Sequence, residues 1–219
     1  MGLNLPTPDH TTLSRRARTL NIRIKRRTSN KPIHLIVDST GISIHGEGPW
    51  ATGKKRRRGW RKVHIMIDRE GFIHGSCVSK WYIKDGNRAP QLLEGIEEEI
   101  SSLTGDKGYD QKTVYKAILS DNKETDIIIH PRANAVFSGN KKWTQKGQKI
   151  LDEGVHKWRR ESGYYQQSRV ENTFYRYKTI FGKKLRSRRE DNRHVETVIG
   201  CNMLNLFLDM RRCQSKMVL

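Results

Sequence analysis

Acidic residues are scarce in this chain. Its 219 residues hold 23 Asp and Glu against 43 Lys and Arg, a formal net charge of +20. That imbalance favours a polyanionic partner, nucleic acid first, with a basic ribosome-associated or membrane-surface protein as the plainer alternative. Cysteine is rarer still: Cys77, Cys201 and Cys213 are the full set. Their spacing contains no CxxC zinc pattern, and an odd number gives no simple disulfide framework, so the cytoplasm is the expected compartment. Long hydrophobic runs are missing as well. The longest, "TVIGCNMLNLFLDM", carries two Asn and an Asp and is too short and polar to span a bilayer. The opening "MGLNLPTPDH" has no apolar core after a basic start, so no signal peptide is expected. Internal repeats are absent, and "GKKRRRGWRK" is the one biased tract.

The 34% of apolar residues are gathered into short blocks that can build a modest core. "IHLIVDS" (33–39) is β-branched and nearly continuous, as a central strand buried on both faces requires. "RKVHIMIDR" (61–69) alternates Val63, Ile65 and Ile67 and reads as a second strand. "GFIHGSCVS" (71–79) follows a tight turn at Glu70-Gly71, and "TDIIIHPR" (125–132) is a further short strand. Helical patterns cover 87–100, 110–122, 164–180 and 192–212; in the second, Val114, Ala117 and Ile118 share one face. "SLTGDKGYD" (102–110) is a loop or a very short strand. The order predicts an α/β domain that begins with an antiparallel meander. Residues 1–32 read as a helical fragment and linker, and 133–163 as a basic insertion or lobe.

Acids placed at the ends of apolar runs need an explanation, because a carboxylate on a buried strand is costly unless it is paired or holds a metal. Asp38 stands within "HLIVDSTG", Asp106 between Gly105 and Gly108, and Glu171 in the helical "SRVENTFYRYK". Taken singly, each has an ordinary reading: a turn residue for Asp38 and Asp106, and a surface ion pair with Arg169 or Arg176 for Glu171. Together they form an oxygen-donor set suited to Mg²⁺, and two such ions can activate a hydroxyl and stabilise a leaving oxygen in phosphoryl transfer.

These residues carry a resemblance. "DSTGISIHGEGPW" with "GWRKVHIMID", then "TGDKGYD", then "SGYYQQSRVENTFYRYKTIFG" resemble, in order, the three catalytic blocks of the DDE transposases of bacterial insertion sequences, of the insertion-sequence-5-type group. The third block has a Tyr–Arg–Glu–Lys pattern that places Tyr164, Glu171 and Lys178; its Arg position falls on Gln167, with Arg169 two residues before Glu171. The resemblance covers roughly residues 7–210. It implies a ribonuclease-H-like fold: a mixed five-stranded sheet with helices on both faces, Asp38 on the first strand, Asp106 just after the fourth and Glu171 on a helix beside them. It also implies two Mg²⁺ ions, with Mn²⁺ as a substitute, held by these three acids. The implied chemistry is hydrolysis at the ends of the element, followed by attack of the freed 3′-OH on target DNA.

On this reading residues 1–32 are the remnant of an N-terminal helical DNA-binding region, 33–212 the catalytic domain and 213–219 a tail, so an N-terminally truncated copy or half of a split reading frame is expected. Lys54, Lys55, Arg56, Arg57 and Arg58, with Trp60 and Arg61, are expected to meet the DNA backbone, and Trp60 to stack on a base or pack at a strand start. Tyr164, Arg169 and Lys178 complete the DNA-binding set. His64, His74 and His130 read as structural, His130 near the acids; Trp143 and Trp158 either insert beside a DNA end or pack in the core. The expected partner is double-stranded DNA, element ends and target, bound by a homodimer in the bacterial cytoplasm at the nucleoid, with no membrane. A catalytically silent DNA-binding remnant is the alternative.

Overall fold

The protein is described by a computed structural model covering residues 7–27, 31–46, 59–120, 122–132 and 141–212, side chains of 141–146 and 211–212 excepted. Lys54 to Arg58, Cys213, the tail 213–219 and the Trp143 side chain lie outside the described residues.

Six strands form one sheet: β1 (Ile33–Ile44), β2 (Trp60–Asp68), β3 (Ile73–Lys80), β4 (Ile100–Gly105), β5 (Asp126–Ile129) and β6 (Lys184–Leu185). The order is β3-β2-β1-β4-β5, with β6 paired to β1 off this path. Pairing is antiparallel for β1–β2 and β2–β3, and parallel for β1–β4, β4–β5 and β1–β6. This is the ribonuclease-H-like arrangement, and the nearly continuous apolar run of β1 takes the central place expected of it. Two details differ from the sequence reading. β1 continues six residues beyond Asp38, because β2 pairs with it as far as Ser43. The sixth strand exists for the same reason: β4 stops at the Val37–Gly105 pair, which leaves the far end of that β1 edge open, and β6 takes it at Ser43 and Ile44. Among the described residues no strand pairs that edge between these two points.

Side-chain alternation along β1 divides the core between two faces. Leu35 and Val37 pack with Met66, Leu103 and Ile129 under α2 (Ala89–Leu93) and α3 (Lys112–Leu119), through Leu92, Val114 and Ile118. Ile36 and Ile42 pack with Ile65, Ile67 and Ile73 under α6 (Ser168–Phe181) and α7 (Glu190–Arg212), through Val170, Phe174 and Leu204. Each such fully buried aliphatic side chain contributes about 1.5–3 kcal/mol. Helices thus cover both faces. α1 (His10–Thr19) starts at Asp9, whose carboxylate caps Thr11 N, and lies against α7 without burying a residue.

The Glu70-Gly71 turn forms as expected: Gly71 has φ +84°, and one Asp68 oxygen accepts from Glu70 N and Phe72 N. The helical pattern over 87–100 shrinks to a 3₁₀ turn (Asp85–Arg88) and α2. Gly95, at φ +72°, interrupts it, and Arg26 bonds the Glu94 carbonyl there. In 133–163 the described part is helical, as α4 (Lys141–Glu153) and α5 (Val155–Glu161).

Candidate active site

The parallel strands β1 and β4 end their pairing at Val37 and Gly105, so the next residue on each, Asp38 and Asp106, emerges at the same end of the sheet. In open α/β sheets the crevice at the strands' carboxyl ends is the usual ligand site. Asp38 shares its face of β1 with Ile36, on the side that α6 covers. Its Oδ1 accepts from Ser39 N at 2.7 Å. Asp106 caps the 3₁₀ turn Lys107–Tyr109, its Oδ1 accepting from Gly108 N at 2.9 Å. Glu171 lies exposed in the first turn of α6.

Electrostatics ties the three together. Burial first, and then the charges of Asp106, Glu171 and Asp85, push the Asp38 carboxyl up to about 7 against the pull of the Ser39 N–H. Burial, with Asp85 beside it, also raises Asp106 above the ordinary carboxylate range. Two oxygen acids that resist ionising, Asp38 and Asp106, with further carboxylates near them, match the donor chemistry of a hard divalent cation, whose charge would relieve both burial and repulsion. In this conformation, however, no three His, Cys, Asp or Glu side chains among the described residues stand close enough together to enclose an ion.

Asp85 escaped sequence reading. It opens the 3₁₀ turn after β3 and reaches the acids from the face opposite α6, its Oδ1 accepting from Ser39 Oγ at 3.0 Å and Lys62 Nζ at 2.9 Å. A Cβ placed on Gly108 would stand 2.9 Å from both Asp106 Oδ1 and Asp85 Oδ2, so glycine is what lets the two carboxylates approach. Beneath them lies a buried polar floor. His64 Nδ1 is 3.1 Å from Tyr109 Oη and its Nε2 2.8 Å from Ser79 Oγ. Burial holds His64 down to about 4, a neutral ring, as its structural reading required. In the sequence, Asp85-Gly86 carries only the signal of a turn.

The expected DNA contacts fall in different places. Lys178 Nζ donates to Thr40 Oγ1 at 2.6 Å, two residues past Asp38 on the stretch of β1 that β2 pairs on one edge alone, and burial lowers its pKa. Tyr164 precedes α6, in the 3₁₀ turn Tyr164–Gln167, and not on the helix beside Glu171. Its ring packs 5.5 Å from Trp158 and 6.1 Å from His130, with the Arg159 guanidinium over it. Burial, followed by the charge of Asp106, raises its phenol. Trp158 is buried, so its place is in packing. Arg169 turns away from the acids, donating to the Arg69 carbonyl at 2.6 Å in the β2–β3 turn, beyond the other end of the β1–β2 register. Gln167 is buried and donates to the Val37 carbonyl at 3.2 Å. Trp60 is 47% exposed and covers Gly41; Arg61 bonds the Trp60 carbonyl.

A cavity of about 1000 Å³ opens elsewhere, between α1, α6 and α7, lined by Leu13, Ala17, Ile180, Ile199 and Met203. None of Asp38, Asp106 or Glu171 lines it, so its size is no guide to the chemistry.

Comparison with known proteins bears on the same span. The chain is similar to a cryo-EM structure of the piggyBac transposase synaptic complex with hairpin DNA, with a TM-score of 0.47 and 11% identity over 83% of this chain and 48% of that one. One family model described as a transposase DDE domain matches residues 1–47. Another of the same description matches residues 29–206, which takes in β1 through most of α7 and with them all three acids. On that match the chain belongs to the transposase DDE domain family.

Proposed function

We propose that the chain is a DNA transposase of the insertion-sequence-5-type group, which cleaves the ends of its element and joins them to target DNA. The observation that carries this reading is the acid group at the shared end of β1 and β4, with Asp38 driven towards neutrality by burial and three neighbouring carboxylates. Asp38, Asp106 and Glu171 are the catalytic acids and would hold the divalent cations. Two Mg²⁺ ions, or Mn²⁺ in their place, would supply positive charge to the attacking and departing oxygens when bound.

The chain's own groups do the rest. Water adds at a phosphorus of the element's end and the P–O3′ bond breaks, leaving a 3′-OH and a 5′-phosphate. The 3′-oxygen then loses its proton to attack a target phosphorus, and the displaced target 3′-oxygen takes a proton up. Asp38 would hold a cation as the carboxylate, after giving up its proton to solvent. Lys178, held at Thr40 beside Asp38, offers an ammonium to a phosphate at the cleavage point. Tyr164 in the turn before α6, Arg169 in the first turn of α6, Trp60 and Arg61 at the start of β2, and Lys54 to Arg58 in the sequence between β1 and β2 would grip the backbone in a sequence-tolerant way. The working unit is a homodimer on double-stranded DNA, in the cytoplasm at the nucleoid. No helix among the described residues is long and apolar enough to cross a membrane.

A second reading, a catalytically silent DNA-binding remnant, draws on one observation: the acids do not close on a common point in this conformation. One experiment decides between them. Labelled element-end DNA is incubated with the protein and Mg²⁺ or Mn²⁺, beside Asp38→Asn, Asp106→Asn and Glu171→Gln. Nicking by wild type, its loss in each variant and retained gel-shift binding are expected. A variant that cuts at the wild-type rate removes that acid from the proposal; a wild type that never cuts leaves the remnant reading.

A further inference from the structure

Gln167 occupies the position where the third block's pattern calls for arginine, yet it does not face solvent. The residue is 7% exposed, its Nε2 donates to the Val37 carbonyl at 3.2 Å, and its Oε1 is buried without a hydrogen-bond partner. Three elements meet at that bond. Val37 is the last residue of β1 in register with β4, facing Gly105. Its carbonyl belongs to the same rigid peptide unit as the Asp38 nitrogen, so whatever fixes that oxygen fixes the orientation from which Asp38 departs. Gln167 itself closes the 3₁₀ turn, which rests on β1 and β4, and leads straight into α6, where Glu171 follows one turn later. Beyond Val37 the sheet holds β1 on its β2 edge alone, so on the edge that β4 has left the backbone at Asp38 depends on contacts from outside the sheet.

We infer that Gln167 is a positioning residue: its side-chain amide clasps β1 to the start of α6 and so sets the spacing between Asp38 and Glu171. The inference rests on the metal-binding reading of those two acids. An arginine there would serve a phosphate from the surface; a buried amide serves the acids instead, by joining the strand of the first to the helix of the third. The cost of an unpartnered Oε1 is consistent with a side chain retained for its donor.

The test reads cation binding without DNA or turnover. Mn²⁺ is titrated into the full chain and followed by the electron paramagnetic resonance of the free ion, for wild type, Asp38→Asn, Gln167→Met and Gln167→Glu. Met keeps the length and loses both polar atoms; Glu keeps the length and an oxygen but loses the donor. Expected are binding by wild type, its loss in Asp38→Asn, and a fall in affinity of roughly 10- to 100-fold in both Gln167 variants, with gel-shift affinity for DNA and the circular dichroism spectrum unchanged. If Gln167→Met does not fold, Gln167→Glu reads the same quantity. If neither folds, Gln167 is a structural residue and the inference is overturned. Wild-type Mn²⁺ affinity in a folded variant also overturns it, while the metal reading stands. Wild type that binds no Mn²⁺, or binding indifferent to Asp38→Asn, sinks the metal reading and the inference with it.

Discussion

Asp38 makes folding sensitive to pH in the direction opposite to most carboxylates. Its folded pKa of about 7 lies above the ordinary value of 3.8, so between those limits the folded state binds the proton more tightly than the unfolded chain does. Stability from this group is full below about pH 4 and is lost as pH rises through 7. Asp38→Asn, which never ionises, should therefore stabilise the protein at pH 8 in chelator-treated buffer, by about 4 kcal/mol at most. Urea unfolding from pH 4 to pH 8 checks this; a gain that does not grow with pH would show that Asp38 ionises freely. Asp85 acts on the same titration. Asp85→Asn removes a like charge from Asp38 and leaves the Lys62 ammonium without its partner, and both changes favour ionised Asp38. Carbon-13 NMR of the aspartate carboxyls should place Asp38 lower in the variant. An unmoved titration would remove Asp85 from the charges that raise it.

At the scale of elements, Gly108 is where two acidic segments come closest. Gly108→Ala would put a methyl 2.9 Å from oxygens of both Asp106 and Asp85, so one of the two carboxylates, or the turn that carries it, must shift. A loss of about 1–3 kcal/mol is expected, read as a lower melting temperature; a variant as stable as wild type would show that the turns separate freely. The same elements explain what could be read without coordinates. Strands with β-branched residues on two faces, such as 33–39, announce themselves by composition; Asp38 stands out because it falls within such a run, and Asp106 because it sits between Gly105 and Gly108. Asp85 does not, since it sits in a loop after β3 and joins the acids only through the sheet's third dimension, by way of Ser39 and Lys62. The helix expected over 87–100 ends early because Gly95 holds a φ of +72°, which a right-handed helix does not accommodate. The β6 strand is two residues long and has no pattern to find; it exists because β1 has an edge to offer.

For the molecule as a whole, charge would govern the approach to the proposed DNA partner. With a formal net charge of +20, log affinity should fall steeply against log salt. Replacing Lys54 to Arg58 by Ala should flatten that slope, by up to about 4 units if all five meet phosphates. Binding isotherms between 50 and 300 mM salt would show it, and an unchanged slope would assign the run to bulk solvent. The full extent of β1 also sets the order in which the molecule can complete itself. Its central strand pairs first with β2, next with β4 and last with β6, which puts Ser43 against Lys184 near the chain's far end. A growing polypeptide emerging from the ribosome can fold the antiparallel meander early, but α6 and β6 must wait until the final quarter has been synthesised. On the proposed function, a nascent chain would carry two of its acids and most of its DNA contacts before it acquires the third, and synthesis itself would be the safety catch on the scissors.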